Sequence, residues 1–162
     1  MTGAGSRARP VPARYDRPFW DGLREHRLML PYCDGCAAYW YPPAPRCPRC
    51  LSATAAWREV PGRGTLHSWA TAERPFAPGL STPYTVVQVE LDVQPGLLLD
   101  STLADPTTAD PTRADSTPRP PLRLGLPVTA VYLDDPRGFT VHAFTPAAPT
   151  GATPAAPTGT PA

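Results

Sequence analysis

Four cysteines are the residues whose type and spacing most clearly indicate chemistry in this chain. They form two pairs, Cys33-x-x-Cys36 and Cys47-x-x-Cys50, with ten residues between the pairs. A two-residue spacer lets both sulfurs of a pair bond one ion, and four thiolates surround zinc tetrahedrally. The spacing therefore predicts a structural zinc site whose ligands are Cys33, Cys36, Cys47 and Cys50.

Two other interpretations of the cysteines stay open. Iron also accepts four thiolates, as in a rubredoxin-like site, and the cysteines would be free thiols if metal binding has been lost. A redox C-x-x-C is less favoured, because that chemistry needs one pair and this chain has two in ribbon spacing. A closed Cys₄ site has no open position for water or substrate, so its predicted role is to fold a segment with little core.

Other catalytic signatures are missing from the sequence. It contains no G-x-S-x-G, Walker A or G-x-G-x-x-G motif. The histidines His26, His67 and His142 are far apart, and we interpret them as surface or hydrogen-bonded residues. Glu73 and Asp100 are possible acids without a partner in the sequence. We therefore predict no catalytic residues, and an enzyme by itself is the least favoured of the functions considered.

Composition restricts the class of protein further. Proline accounts for 25 of the 162 residues, which argues against a largely helical fold. The formal net charge is only +1, and no apolar run is long enough to span a bilayer. The N-terminus lacks the apolar segment of a secretory signal. These features predict a cytoplasmic protein without membrane contact, in a compartment where thiols stay reduced.

The prolines and small residues divide the chain into segments. Residues 1–14 and 146–162 offer almost nothing to bury and are predicted to be a disordered arm and a disordered Ala/Pro/Thr tail. Residues 105–121 contain five prolines and are predicted to be a long loop. Between the ends, we expect three units: a helix and lead-in strand at 15–31, a zinc ribbon at 32–56 and a barrel at 57–145.

A short helix is predicted near the start of the folded region. Asp16 is a suitable N-cap, and Pro18 falls in the first turn, where its missing N–H costs little. Phe19, Leu23 and His26 share one face of this helix. Gly22 is expected to weaken it.

The rest of the folded region has a β pattern. Residues 28–32 alternate as in a strand that enters the cysteine segment. Further strands are predicted at residues 64–73, 84–92, 97–103, 127–133 and 139–144. Five strands without helical crossovers favour an OB-type barrel, with a small sandwich as the alternative.

The aromatic side chains and the distribution of charge along the chain indicate the class of partner. Tyr39, Trp40 and Tyr41 lie between the cysteine pairs, and we expect one or two of them in the core and the rest at a partner interface. Residues 57–145 contain seven arginines and ten acidic residues, a net charge of −3, whereas the first 56 residues have +4. Single-stranded nucleic-acid binding by the barrel is the alternative function, but an acidic barrel argues against it.

The order of these features resembles the DUF35 family, acyl-CoA-associated proteins in which a rubredoxin-like zinc ribbon precedes an OB-fold. The similar segments are residues 19–23, 27–33, 41–43, 46–50, 62–66, 68–69, 124–128 and 144–146. The resemblance implies a mainly β chain with a short N-terminal helix, a rubredoxin-like zinc ribbon and a five-stranded OB-fold barrel. Two features depart from the family pattern. Ala37 and Leu51 stand where a glycine often supplies positive φ. The 105–121 loop is also longer than is usual in the family.

The resemblance also implies a function. Members of the family are typically non-catalytic subunits that accompany thiolase-like enzymes, aldolases or MaoC-like hydratases. The expected role here is an accessory subunit that binds such a partner and supports acyl-CoA processing. Whether acyl-CoA touches this chain is left open by the sequence.

Overall fold

The computed structural model describes residues 9–74, 82–104 and 121–147. In chain order, the elements are α1 (Arg17–Arg24), β1 (Leu28–Cys33), β2 (Ala38–Tyr39), β3 (Ala56–Val60), β4 (Arg63–Ala72), β5 (Tyr84–Leu91), β6 (Leu98–Thr102), β7 (Pro127–Asp135) and β8 (Phe139–Pro146). The predicted mainly β class with a short N-terminal helix is confirmed. Of the arm, the long loop and the tail predicted from composition, residues 1–8, 105–120 and 148–162 lie outside the described residues.

The helix α1 differs from its prediction at both ends. Asp16 occupies the N-cap position without a side-chain capping bond, and its carboxylate accepts a hydrogen bond of 3.2 Å from the Trp20 indole N–H instead. At the other end α1 stops at Arg24, so His26 lies beyond the helix, where its φ is 56°. Gly22 permits a close contact, since a Cβ there would lie 2.4 Å from Cγ of Met29. Packing of α1 against β1 therefore requires glycine at position 22, although glycine weakens the helix.

Strands β1, β2 and β3 form a three-stranded antiparallel sheet with the order β2-β1-β3. This sheet and the loops that carry the cysteines are called the ribbon below, residues 28–60. Strand β3 was not predicted, because Trp57 and Val60 do not alternate with period two. All five of its residues pair with β1, from Val60 opposite Leu28 to Ala56 opposite Tyr32. The predicted unit boundary between residues 56 and 57 falls inside this strand.

Strands β4 to β8 form a nearly closed barrel with the order β6-β5-β4-β7-β8. Its two ends meet where Leu103 bridges Phe144 in parallel and the Ala104 N–H donates to the Phe144 carbonyl at 2.7 Å. The five predicted strands match these five in order and nearly in extent, and the OB-type barrel is confirmed over the sandwich. Strand β5 alternates as predicted, with Val87, Val89 and Leu91 buried.

One apolar core joins the helix, the ribbon sheet and the barrel. It contains Phe19 and Leu23 from α1 and Leu28 from β1 together with barrel residues such as Val89 and Phe144. A smaller cluster at the far end of the ribbon contains Cys33, Trp40 and Cys47. The ribbon is therefore anchored to the barrel at one end, while its cysteine end has little apolar packing of its own.

Candidate metal centre

The ribbon brings the four predicted cysteines together. Cys33 ends β1, Cys36 follows in the turn to β2, and Cys47 and Cys50 lie in the loop between β2 and β3. Their sulfur atoms all lie within 4.8 Å of one another, and Sγ of Cys33 and Cys50 are 3.6 Å apart. A tetrahedral zinc ion with Zn–S bonds of about 2.3 Å places its sulfurs about 3.8 Å apart. The four sulfurs are thus positioned to bind one metal ion, consistent with structural zinc.

The surroundings of the sulfurs differ. Cys33 and Cys47 are buried, Cys36 is half-buried and Cys50 is exposed. Backbone N–H groups of Cys50 and Arg49 lower the pKa of Cys47 to about 7. A hydrogen bond with the Cys50 sulfur, together with burial, raises the pKa of Cys36 to about 12. Four thiolates this close repel one another, so they need a cation between them.

The backbone after each cysteine pair is left-handed. Ala37 has φ 50° and Leu51 has φ 59°, where the sequence comparison with DUF35 led us to expect a positive φ without a glycine. The second turn is closed by hydrogen bonds between Leu51 N and Cys47 O and between Cys47 N and Ser52 O, both at 2.9 Å. Both residues therefore hold a conformation that costs an L-residue about 1 kcal/mol or more.

Arg58 braces the first cysteine turn from β3. Its guanidinium lies 3.6 Å from the centre of the Tyr32 ring and 2.8 Å from the Asp34 carboxylate. Sequence reasoning missed this contact, because Arg58 lies 24 positions after Asp34 and the strand that brings it there was itself missed. The only available signal was the Arg58-Glu59 pair directly after a tryptophan, which is too general to predict a brace.

The aromatic residues between the cysteine pairs are all at least partly buried. Trp40 is buried in the cysteine cluster, and its indole nitrogen has no hydrogen-bond partner. Tyr39 and Tyr41 pack against the barrel core. Gln94, in the turn between β5 and β6, fixes this junction: Tyr39 N donates to Gln94 Oε1 at 2.8 Å, and Gln94 Nε2 donates to Tyr39 O at 3.1 Å.

The three histidines occupy separate places. His26 stacks on Tyr132 and binds the Asp134 carboxylate at 3.0 Å, and His67 lies 3.9 Å from Glu90. His142 lies against aromatic rings, and burial lowers its pKa to about 4. His142 hydrogen-bonds the Asp100 backbone, as expected of a hydrogen-bonded histidine, while its Nε2 is buried without a partner.

The described part of the chain holds no nucleophile paired with a histidine. There, no histidine side chain hydrogen-bonds a serine, threonine or cysteine side chain. The two candidate acids are also apart, Glu73 just after β4 and Asp100 on β6. Within residues 9–74, 82–104 and 121–147, no helix is long and apolar enough to cross a membrane.

The fold and the metal centre define a protein with a zinc ribbon joined to an OB-fold barrel. Two family models match in succession: the rubredoxin-like zinc ribbon domain of ChsH2 over residues 20–55 and the C-terminal OB-fold domain of ChsH2 over residues 57–133. The chain belongs to the DUF35 family.

Solved structures with this fold include two informative examples. The Ltp2-ChsH2(DUF35) aldolase superposes with a TM-score of 0.67 and 28% sequence identity, over 85% of this chain and 98% of that chain. A DUF35 protein of unknown function from Sulfolobus solfataricus gives a TM-score of 0.53 over 83% of this chain and 87% of that chain. Its identity of 12% shows similarity of fold alone.

Two curated relatives are named as hydratase subunits. A probable enoyl-CoA hydratase alpha subunit from Thermomonospora curvata is 30% identical over 143 residues, 87% of this chain and 41% of the relative. The 3-oxo-4,17-pregnadiene-20-carboxyl-CoA hydratase alpha subunit from Mycobacterium tuberculosis is 30% identical over 139 residues, 85% of this chain and 40% of the relative. The chain spans about two fifths of the length of these relatives.

Proposed function

We propose that the protein is a non-catalytic accessory subunit that binds an aldolase-type, thiolase-like or MaoC-like hydratase partner and supports acyl-CoA processing. The observation that carries the proposal is the match to 98% of the DUF35 chain of the Ltp2-ChsH2(DUF35) aldolase. The two hydratase alpha subunits add that related segments occur in enzymes acting on CoA esters.

The metal centre supports this role through the fold of the ribbon. We propose Cys33, Cys36, Cys47 and Cys50 as the four ligands of one zinc ion. The ion would supply four bonds to sulfur and leave no position open for substrate. Its contribution is then structural, because the cysteine end of the ribbon buries little else.

The junction between ribbon and barrel supports a scaffold rather than a hinge. The shared core and the two hydrogen bonds between Gln94 and Tyr39 fix the ribbon against the β5–β6 turn. A partner enzyme would then meet a surface that is ordered before binding, which reduces the entropic cost of association. We place the protein in the cytoplasm, where reducing conditions keep four metal-binding thiolates from forming disulfides.

The test is reconstitution with enzymes encoded beside this chain. The purified zinc protein should form a stable complex with an aldolase-type, thiolase-like or hydratase neighbour in size-exclusion chromatography with light scattering. The partner's rate of acyl-CoA turnover should be higher in the complex than for the partner alone, or its activity should persist for longer. The Cys47→Ser variant is the matched negative control.

Two results would contradict the proposal. The chain alone could convert acyl-CoA thioesters, which would make it an enzyme. It could also remain monomeric with every such neighbour and instead bind single-stranded oligonucleotides in a salt-dependent manner.

A further inference from the structure

A shallow cleft of about 310 Å³ lies on strands β4, β5 and β6, away from the metal centre. Ser68 and Ala70 of β4 lie opposite Gln88 and Val86 of β5, and Gln88 lies opposite Asp100 of β6. Because directly opposed residues share a face of the sheet, these five side chains lie on one face. They alternate with buried core residues of β5, so this face points away from the barrel core.

One end of the cleft is apolar and open to solvent. Val86 is 41% exposed, and Ala70 is directly opposite it. Val86 and Trp69, on neighbouring strands, are the exposed large hydrophobic residues that belong to described strands. The other exposed large hydrophobic residues lie outside the strands: Val11, Tyr15, Leu51, Val93 and Leu124. Val86 and Ala70 therefore give this end of the cleft a small apolar surface that an apolar side chain of another molecule can cover.

The other end of the cleft carries an acidic group without a cation. The Asp100 carboxylate accepts a hydrogen bond of 3.0 Å from Gln88 Nε2, and it forms no ion pair with any described residue. Among the described residues that line the cleft, Asp100 is the only charged one. By contrast, several other exposed carboxylates have an arginine partner nearby, among them Asp21, Asp34 and Glu59. Charge complementarity therefore favours a positively charged group in the occupant.

We propose that this cleft is the docking surface for the partner subunit, through a segment that packs an apolar side chain on Val86 and Ala70 and brings a lysine or arginine to Asp100. The inference rests on the proposed function and adds the surface and the chemistry of the contact. The Asp100 carboxylate would repel the phosphates of free CoA, so the occupant is a protein segment rather than CoA.

The experiment measures binding of the reconstituted partner enzyme to full-length zinc-loaded variants by isothermal titration calorimetry at low and moderate salt. Val86→Ser should weaken binding about tenfold by removing the apolar contact. Asp100→Asn should weaken it about fivefold and reduce its salt dependence, and Asp100→Lys should weaken it about a hundredfold or more. The matched controls are Val93→Ser and Asp92→Asn in the β5–β6 turn, which should change binding less than about twofold.

The outcomes separate this inference from the function on which it rests. If the wild-type chain binds none of the enzymes, the proposed function and the docking surface are both wrong. If it binds while Val86→Ser and Asp100→Asn bind equally well, only the docking surface is wrong. The surface is also wrong if these substitutions instead change self-association of the chain in sedimentation experiments. Unchanged circular dichroism, melting temperature and zinc content would show that the variants are folded.

Discussion

The cysteine end of the ribbon buries one small cluster around Cys33, Trp40 and Cys47, whereas the barrel buries a continuous core from β4 to β8. The two regions belong to one chain, where an apolar core and the contact between Gln94 and Tyr39 join ribbon and barrel. Their stability nevertheless has different sources, since four sulfurs around an ion hold the first and apolar packing holds the second. Substitutions in one region should therefore change observables that substitutions in the other leave unchanged.

The largest expected effect is loss of the metal site in Cys47→Ser. One buried ligand is removed, and an apparent zinc-binding free energy on the order of 10 kcal/mol drives folding in such sites. We expect about one zinc per chain in the wild type and little in the variant, by elemental analysis. Ser52→Ala at the same turn is the control, and a variant that retains full zinc and an unchanged Trp40 environment would contradict the comparison.

The next effect is expected in the barrel, from Phe144→Ala. Phe144 is fully buried where β8 closes on Leu103, and removal of such a ring costs about 3–5 kcal/mol. Denaturant unfolding should show this loss while zinc content stays the same under native conditions. Val86→Ala, at an exposed strand position, is the control. Loss of zinc in native Phe144→Ala would show that the two regions are not energetically separable.

Substitution of Gln94, at the junction between ribbon and barrel, should lower stability by an intermediate amount. Gln94→Leu removes both hydrogen bonds to the Tyr39 backbone, and leaving these groups without partners costs about 1–3 kcal/mol. Gln94→Glu keeps the acceptor for Tyr39 N and should cost less. Hydrogen exchange at Tyr39 N should speed up in the leucine variant and much less in the glutamate variant. Equal exchange in both would argue against the junction described here.

A smaller, stabilising effect is expected in the ribbon from Ala37→Gly and Leu51→Gly. Each relieves a positive φ at a side chain, and the gain should be about 0.5–1 kcal/mol after the entropy of glycine is included. Zinc affinity under partial denaturation should rise accordingly. Ala38→Gly, one position later in β2, should destabilise instead. A loss of stability in both turn variants would disprove the strain.

The smallest effect concerns pH and the β7–β8 hairpin. A hydrogen bond from Thr140 at 2.7 Å, with a second contribution from His26, lowers the pKa of Asp134 below its usual value. The folded state therefore favours the ionised carboxylate, so this stability is present above the unfolded pKa near 4 and is lost as the pH falls through the folded pKa. Because Asp134 is exposed, we expect less than about 1 kcal/mol.

Melting curves between pH 5 and pH 3 test this last point. Thr140→Val should flatten the part of the acid-dependent loss that belongs to Asp134, with Thr129→Val on the neighbouring strand as control. Parallel pH profiles for Thr140→Val and the wild type would contradict it.

Local sequence patterns predicted most of the barrel strands and the four cysteines that the structure brings together. Val87, Val89 and Leu91 alternate with polar residues, and the cysteine spacing is short, so both signals are local in the sequence. The parts that were missed depend on distant pairing. Strand β3 is defined by its register with β1, and Arg58 reaches Asp34 only through that register. Gly22 was judged by helix propensity alone, whereas the position of Met29 decides its role.

The apolar core runs from α1 and β1 into the barrel, and this limits where the chain can be cut to separate or exchange domains. A cut between residues 56 and 57 would split β3 and leave the barrel without Phe19, Leu23 and Leu28, which fill its interior from outside. The helix and β1 therefore complete the apolar core of the barrel. A barrel transplanted alone into another protein would need other apolar side chains in their place, so helix, ribbon and barrel should be exchanged as one unit.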